Sequence, residues 1–280
     1  MSAASVLWRV KGHFFEHDGV PLHYTDEGAG EPVVLLHGFC MHADLNWRRY
    51  GIVQQLARRY RVIAMDLRGH GLSGKPHAPS AYGLAMVEDV RALLDHLGLE
   101  RVHLVGFSTG GFMTLKFLTR YPVRLLSASA TGMAYRAVDD EARAKLERIG
   151  AALETRGDFR PLMEELDLPS RGLVAALRMW ILGRLNDTQA LAHLIRAFPE
   201  FEVAPEELAR NEVPMLSMAG TLDPIAAGAE EMHHLMANHR LVWLEGGDKL
   251  SCLAMPEFVA SLERHMEAAS ALRKSMGAGV

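Results

Sequence analysis

The sequence predicts an α/β fold: a doubly wound, mainly parallel sheet with an inserted helical cap. Three observations lead there. Short apolar, β-branched runs alternate with segments of helical periodicity up to residue 132 and again from residue 213. Several of these runs stop at glycine, as strands buried on both faces do at the edge of a parallel sheet. From Met133 to Glu212 the alternation breaks and only helical periodicity continues. The expected division is therefore a core of residues 1–132 and 213–280 and a cap of residues 133–212.

Taken in order, VPLHYTDEG alternates like a half-exposed strand, and EPVVLLHG is a short apolar strand ended by Gly38. Helical periodicity spans Leu45 to Tyr60, and YRVIAMDLRGHG is a second β-branched strand entering a glycine-rich loop. A helix within AYGLAMVEDVRALLDHLGLE ends at Gly98. The strand RVHLVGFS follows, then a helix from about Gly110 to Tyr121 and the strand VRLLSASAT. The cap reads as helices over DDEARAKLERIGAALETRG, RPLMEELDL, SRGLVAALRMWILGRL and DTQALAHLIRAF. Apolar residues at helical spacing are most often core, but Met163, Leu166, Leu173, Leu177, Trp180 and Phe198 are candidates to line a pocket. VPMLSMAGTLD and HRLVWLEGGD resume the strands, with a helix between them and a last helix from Met255 to about Ala269. The terminal SALRKSMGAGV is expected to fray.

Composition narrows the function. With 280 residues, 49% of them hydrophobic, the chain can bury a full core. A net charge of -4, without clustered Lys and Arg, argues against nucleic acid or an anionic membrane as partner and leaves a small-molecule substrate. The two cysteines, Cys40 and Cys252, suit neither a disulfide framework nor a zinc site, and no metal or organic cofactor is expected. The N-terminal MSAASVLWRVKGHFF lacks an apolar export core, and no window approaches the roughly 20 apolar residues of a membrane span, so a cytoplasmic protein is expected. Oligomeric state has no signal in the sequence.

The sharpest motif is LVGFSTGG, in which Gly106 to Gly110 spell G-x-S-x-G between an apolar strand and a helix. A serine on that tight turn takes strained backbone angles, so small residues are needed two positions either side. The turn raises the Ser108 hydroxyl to the sheet's carboxyl edge, where the helix N-terminus offers N–H groups to a developing oxyanion.

With VVLLHGFCMHADLNW and DLRGHGLSGKP, this motif resembles the α/β-hydrolase superfamily of capped esterases, lactonases and C–C hydrolases, over roughly Phe14 to Met266. The resemblance implies Ser108 as nucleophile and the backbone N–H groups of Phe39 and Thr109 as an oxyanion hole. His37 and His70 match the family's structural loop histidines. Asp223, in MLSMAGTLDPI, matches its G-x-x-D loop and becomes the acidic member.

The family's base-bearing loop, of the type L-P-G-A-G-H-L-S followed by P-E-x-F, is matched without a gap by LEGGDKLSCLAMPEF, but the histidine column holds Lys249. His239 precedes the strand and His265 lies well along the next helix, so neither substitutes. A lysine of pKa about 10.4 is almost wholly charged at pH 7. Burial lowers that value, whereas Asp223, and Asp248 beside it in the chain, would raise it. Four readings stay open: a Ser108–Lys249 pair in a weak or alkaline hydrolase; a ligand-binding, receptor-like protein; a lyase or cyclase using the ammonium as proton donor; and a hydrolase disabled by the lysine. The first is favoured, acting on an ester, thioester, lactone or activated carbonyl of a fairly apolar molecule, because a strained elbow is of little use to a chain that only binds.

Overall fold

The computed structural model describes residues 11–133, 135, 138–223 and 227–277. Eight strands form one sheet: β1 (His13–His17), β2 (Val20–Gly28), β3 (Pro32–Leu36), β4 (Arg61–Met65), β5 (Val102–Phe107), β6 (Leu125–Thr131), β7 (Met215–Gly220) and β8 (His239–Leu244). Their spatial order is β1-β2-β4-β3-β5-β6-β7-β8. The pairs from β4 through β8 are parallel, while β1 and β2 form an antiparallel border. Parallel neighbours need a crossover, and the helices supply it on both faces.

The period-two alternation within each strand divides the core. Val34, Leu36, Ile63, Met65 and Leu104 face α2 (Leu84–His96), α3 (Thr109–Arg120) and α9 (Ala227–Leu235). Val33, Leu35, Val62, Ala64 and Val105 face α1 (Ile52–Leu56) and α10 (Pro256–Gly277), with Trp47 and Phe258 filling the space between. Adjacent residues thus bury into opposite layers, which is why the strands read as unbroken apolar runs.

Among the described residues between β6 and β7 the regular elements are helices: α4 (Asp140–Arg156), α5 (Arg160–Glu165), α6 (Leu173–Leu185), α7 (Thr188–Ala197) and α8 (Pro205–Ala209). α4 packs along α7, and a separate apolar cluster of Ile149, Leu153, Phe159, Met163, Leu191 and Ile195 holds them together. Asp139 caps α4 by accepting from the Ala142 N–H at 2.7 Å, and Asp187 caps α7 by accepting from Ala190 at 2.9 Å. Gly157, at φ 59°, ends α4 in the left-handed conformation.

Several expectations need correction. The helix expected over Leu45 to Tyr60 is interrupted: a π-type turn over Asp44–Arg48 and the short α1 are separated by Gly51 at φ 74°. The strand β1 is not predicted by its own residues, because HFFEH is short and amphipathic and is ordered by pairing with β2. That pairing also leaves β2 more buried than its alternation implies. The helix expected to end near Ala269 runs to Gly277, so most of the tail expected to fray is helical. Of the proposed pocket residues, Leu173, Leu177 and Trp180 point to solvent, because α6 buries Ala175 and half-buries Met179 and Leu182 instead. Expectations for residues 1–10, 134, 136–137, 224–226 and 278–280 lie outside the described residues.

Candidate active site

Ser108 sits at the end of β5 with φ 53° and ψ -114°, a conformation that L-residues rarely hold. Three backbone hydrogen bonds fix it. Ser108 N–H donates to Thr131 O at 2.8 Å, Gly110 N–H to His37 O at 3.1 Å and Phe112 N–H to Ser108 O at 3.1 Å. The flanking glycines are a steric requirement: a Cβ on Gly106 would lie 2.0 Å from Gly110 O, and one on Gly110 would lie 2.1 Å from Leu36 O. Ser108 stays partly accessible while residues 102–107 and 109–111 are buried. The hydroxyl is therefore presented at the sheet edge on a rigid support, beside the first turn of the 12-residue α3.

The loop after β3 packs against this turn. A Cβ on Gly38 would come within 3.2 Å of Ser108 Cβ, so the backbone of Gly38-Phe39 passes directly beside the serine. Gly38 N–H donates to Asn46 Oδ1 at 3.0 Å, and Ala43 N–H donates to Asp66 Oδ1 at 2.8 Å. Asp66 also accepts from Leu72 N–H at 2.8 Å and lies 3.0 Å from His23 Nδ1, tying the loop to the glycine-rich segment after β4. Burial pushes its carboxyl up, but the His23 bond, the neighbouring His37 and the two amides outweigh that and hold it well below the carboxylate range. Asn46 and Asp66 are positioning residues that the motif reading passed over. The one available signal was that Asp66 opens the DLRGHG loop.

His37 is fully buried with both ring nitrogens engaged: Nδ1 lies 2.8 Å from Gly38 O and Nε2 accepts from Leu67 N–H at 2.9 Å. Burial pushes it down to about 4, so it is a neutral brace between two loops. His70, packed 5.1 Å from the His37 ring, is lowered to about 3, chiefly by burial.

At the other end of the same edge, β7 and β8 deliver Asp223 and Lys249. The two loops are interlocked. Thr221 N–H donates to Leu244 O at 3.1 Å and Leu222 N–H to Gly247 O at 2.9 Å, while a Cβ on Gly220 would meet Gly247 O at 2.1 Å. Asp223 is buried. Lys249 is partly exposed as a residue, yet desolvation of its ammonium is the largest influence and pulls its pKa below the ordinary lysine value, against the charge of Asp223 and, secondarily, Cys252. Asp248 is not among these influences. Its carboxylate instead accepts from the N–H groups of Leu250 and Ser251 at 2.9 and 2.7 Å, which holds the acid low and closes the turn under the lysine. The Cys252 thiol donates to Lys249 O at 3.2 Å and is pushed up to about 12, mainly by burial. It stays a protonated brace.

Asp223 thus acts on Lys249 electrostatically, while Ser108, at the end of β5, stands two strands from β7 and three from β8 along the same edge. Among the described residues, no hydrogen bond joins the Ser108 hydroxyl to the Lys249 ammonium. His239 begins β8 at the opposite edge, and His265 Nε2 lies 3.2 Å from Ala128 O within β6, so neither stands where Lys249 does. A cavity of about 110 Å³ opens between α3 and the inserted helices, lined by Phe112, Leu115, Met133, Ile149, Phe198 and Phe201 among others, with Lys145, Glu165 and Glu202 also on its walls. Phe112 joins it to the elbow through its hydrogen bond to Ser108. Phe198 was expected at such a pocket, whereas Met163 and Leu166 pack in or against the insertion's own core.

A family model described as alpha/beta hydrolase fold matches residues 31–248, which include Ser108 and Asp223 and stop one residue before Lys249. The chain is 32% identical to a non-heme chloroperoxidase of Streptomyces lividans over 82% of its own length and 89% of that protein. It is 39% identical to a 2-hydroxy-6-oxo-2,4-heptadienoate hydrolase of Pseudomonas putida, but over only 43% of this chain and 45% of the relative. Among solved structures, a thermophilic esterase from Thermogutta terrifontis superposes with a TM-score of 0.76 at 24% identity, covering 93% of this chain and 98% of that one, a likeness of fold alone. A hydrolase from Pseudomonas aeruginosa PA01 superposes at 0.74 with 26% identity, covering 91% and 97%.

Proposed function

The chain belongs to the alpha/beta hydrolase fold family, and on that premise we propose that it is a serine hydrolase acting on an ester, thioester, lactone or activated carbonyl of a small, apolar molecule. The observation that carries this reading is the strained Ser108, held accessible at φ 53° between two glycines that have no room for a side chain. Strain of this kind costs on the order of 1–3 kcal/mol and is retained where a reactive group must be presented.

In the proposed reaction the Ser108 hydroxyl attacks the carbonyl carbon. The N–H groups of Phe39 and Thr109 receive the oxyanion, and the neutral amine of Lys249 takes the serine proton. The resulting ammonium returns that proton to the leaving oxygen or sulfur; water, deprotonated in turn by Lys249, then attacks the acyl-serine, and the lysine's proton passes to the departing Ser108 oxygen as the acid is released. Burial of Lys249 favours the neutral amine, whereas Asp223 favours the ammonium. The pair is therefore slower at neutral pH than a serine–histidine pair, whose base is uncharged there. The apolar cavity beside Phe112 suits the hydrocarbon part of the substrate.

A second reading has one observation in its favour. The field of Asp223 on Lys249 suits an ammonium that remains charged and acts as proton donor or electrostatic clamp in non-hydrolytic chemistry. A fluorophosphonate label and an aryl-ester assay on the native chain, Lys249→His and Ser108→Ala separate the two. We expect labelling at Ser108, slow turnover by the native chain, none by Ser108→Ala and a gain of at least tenfold at pH 7 in Lys249→His. Absence of labelling and turnover in the native chain, with both restored by Lys249→His, would mean that the native site does not hydrolyse.

A further inference from the structure

The outward side of α6 is apolar and uncovered among the described residues. Leu173 is 88% exposed, Val174 74%, Leu177 56%, Trp180 61% and Ile181 41%. The helix is anchored from its other side, where Ala175 is buried, Met179 and Leu182 join the insertion's core, and Gly183 faces the Phe159 ring. The fold therefore does not need the outward residues, and each leaves apolar surface in water.

The charges on this segment have one sign. Between Asp167 and Asp187, the latter paired with His77, the ionisable groups are Arg171, Arg178 and Arg184. Arg184 lies over the Trp180 ring at 5.4 Å, and Arg178 has a buried guanidinium nitrogen, Nη1, without a hydrogen-bond partner. Arg171 precedes the first turn, where the helix dipole disfavours a cation, so its position brings the helix no benefit. Exposed aliphatic residues, a tryptophan and snorkelling arginines are side chains that partition to a lipid–water interface.

We propose that α6 is a docking surface for an anionic lipid bilayer, with Leu173, Leu177 and Trp180 entering the headgroup boundary and Arg171 and Arg184 meeting the phosphates. At 13 residues it spans about 20 Å, too short to cross a hydrocarbon core of roughly 30 Å, so it lies on the surface. A second copy fits less well. One face of a helix this short falls below the roughly 800 Å² per partner of a stable interface. Docking would hold the insertion against the lipid directly above the oxyanion-side loop, because Asn186 Nδ2, at the end of α6, lies 3.5 Å from Cys40 O. A chain with a net charge of -4 gives no sign of this surface in its totals.

The test is co-sedimentation of the full chain with vesicles of phosphatidylcholine alone or mixed with phosphatidylglycerol, at low and high salt. The variants are Leu177→Glu with Trp180→Glu, and Arg171→Glu with Arg184→Glu, checked by circular dichroism and thermal midpoint. Binding is expected on the mixed vesicles, weaker on phosphatidylcholine and at high salt, and reduced at least tenfold in both variants while their folding is unchanged. The proposal is overturned if the native chain stays in the supernatant with mixed vesicles, or if the Leu177→Glu, Trp180→Glu chain binds as the native one does. A concentration-dependent dimer in sedimentation equilibrium that disappears in that variant would overturn it in favour of a second copy.

Discussion

At Lys249 two effects oppose each other, and their balance sets the pH at which the site can work. Burial lowers the lysine from its ordinary value near 10.5, while Asp223 raises it, and the net direction is downward. If the neutral amine is the base, kcat/KM rises with pH from neutrality and levels off below 10.5, at the lysine's own pKa. Lys249→His should move that limb toward about 6.5, and a native profile flat between pH 6 and 9 would remove Lys249 from the proton transfer. Asp223→Asn, which deletes the opposing charge, should shift the limb to lower pH. In a serine–histidine site the same change is harmful, because there the carboxylate supports the base. The identity of residue 249 was plain in the sequence. What it experiences was not, since Asp223 is 26 positions away in the chain and its charge reaches Lys249 through two loops that interlock at Gly220 and Gly247.

Among the elements, β5, the elbow and α3 behave as one piece. Gly110 packs on the carbonyl of Leu36, so Gly110→Ala must push α3 away from β3 by more than an ångström. The expected cost is about 2 kcal/mol in urea unfolding, as for other overpacked core positions, with loss of fluorophosphonate labelling. A fully labelled, undestabilised Gly110→Ala would show that the elbow tolerates a shift. These elements were legible because their signal is local: an apolar run, glycines at fixed offsets and a helical period. α6 was legible as a helix but not in its orientation. Its apolar residues occupy nearly every side, and packing against the insertion's apolar cluster decides that Met179 and Leu182 turn inward while Leu177 and Trp180 turn out. β1 shows the converse, a short segment with little period of its own that becomes a strand by pairing with β2.

Over the whole molecule, buried neutral histidines set the acid limit of stability. His37, His103, His239 and His265 are each lowered to about 4, in every case chiefly by desolvation. The unfolded chain, with histidines near 6.5, binds more protons than the native state between pH 6.5 and 4, so stability falls as pH drops through that window. Each group accounts for on the order of 3 kcal/mol across it, and together they are a large fraction of a typical domain's stability. The urea midpoint should therefore decline steeply from pH 6.5 to pH 4 and change little between pH 7 and 8. A midpoint constant down to pH 4.5 would show that these rings are already charged in the native protein.

The sequence by itself determined the layered α/β sheet, the helical insertion, the elbow at Ser108 and the replacement at position 249, because each is written in residues close together along the chain. The tertiary structure decided which charges act on Lys249, which side of α6 meets water, and that Asn46 and Asp66 brace the loop beside Ser108. Those outcomes depend on desolvation and on contacts between segments far apart in the chain, and neither has a local signature.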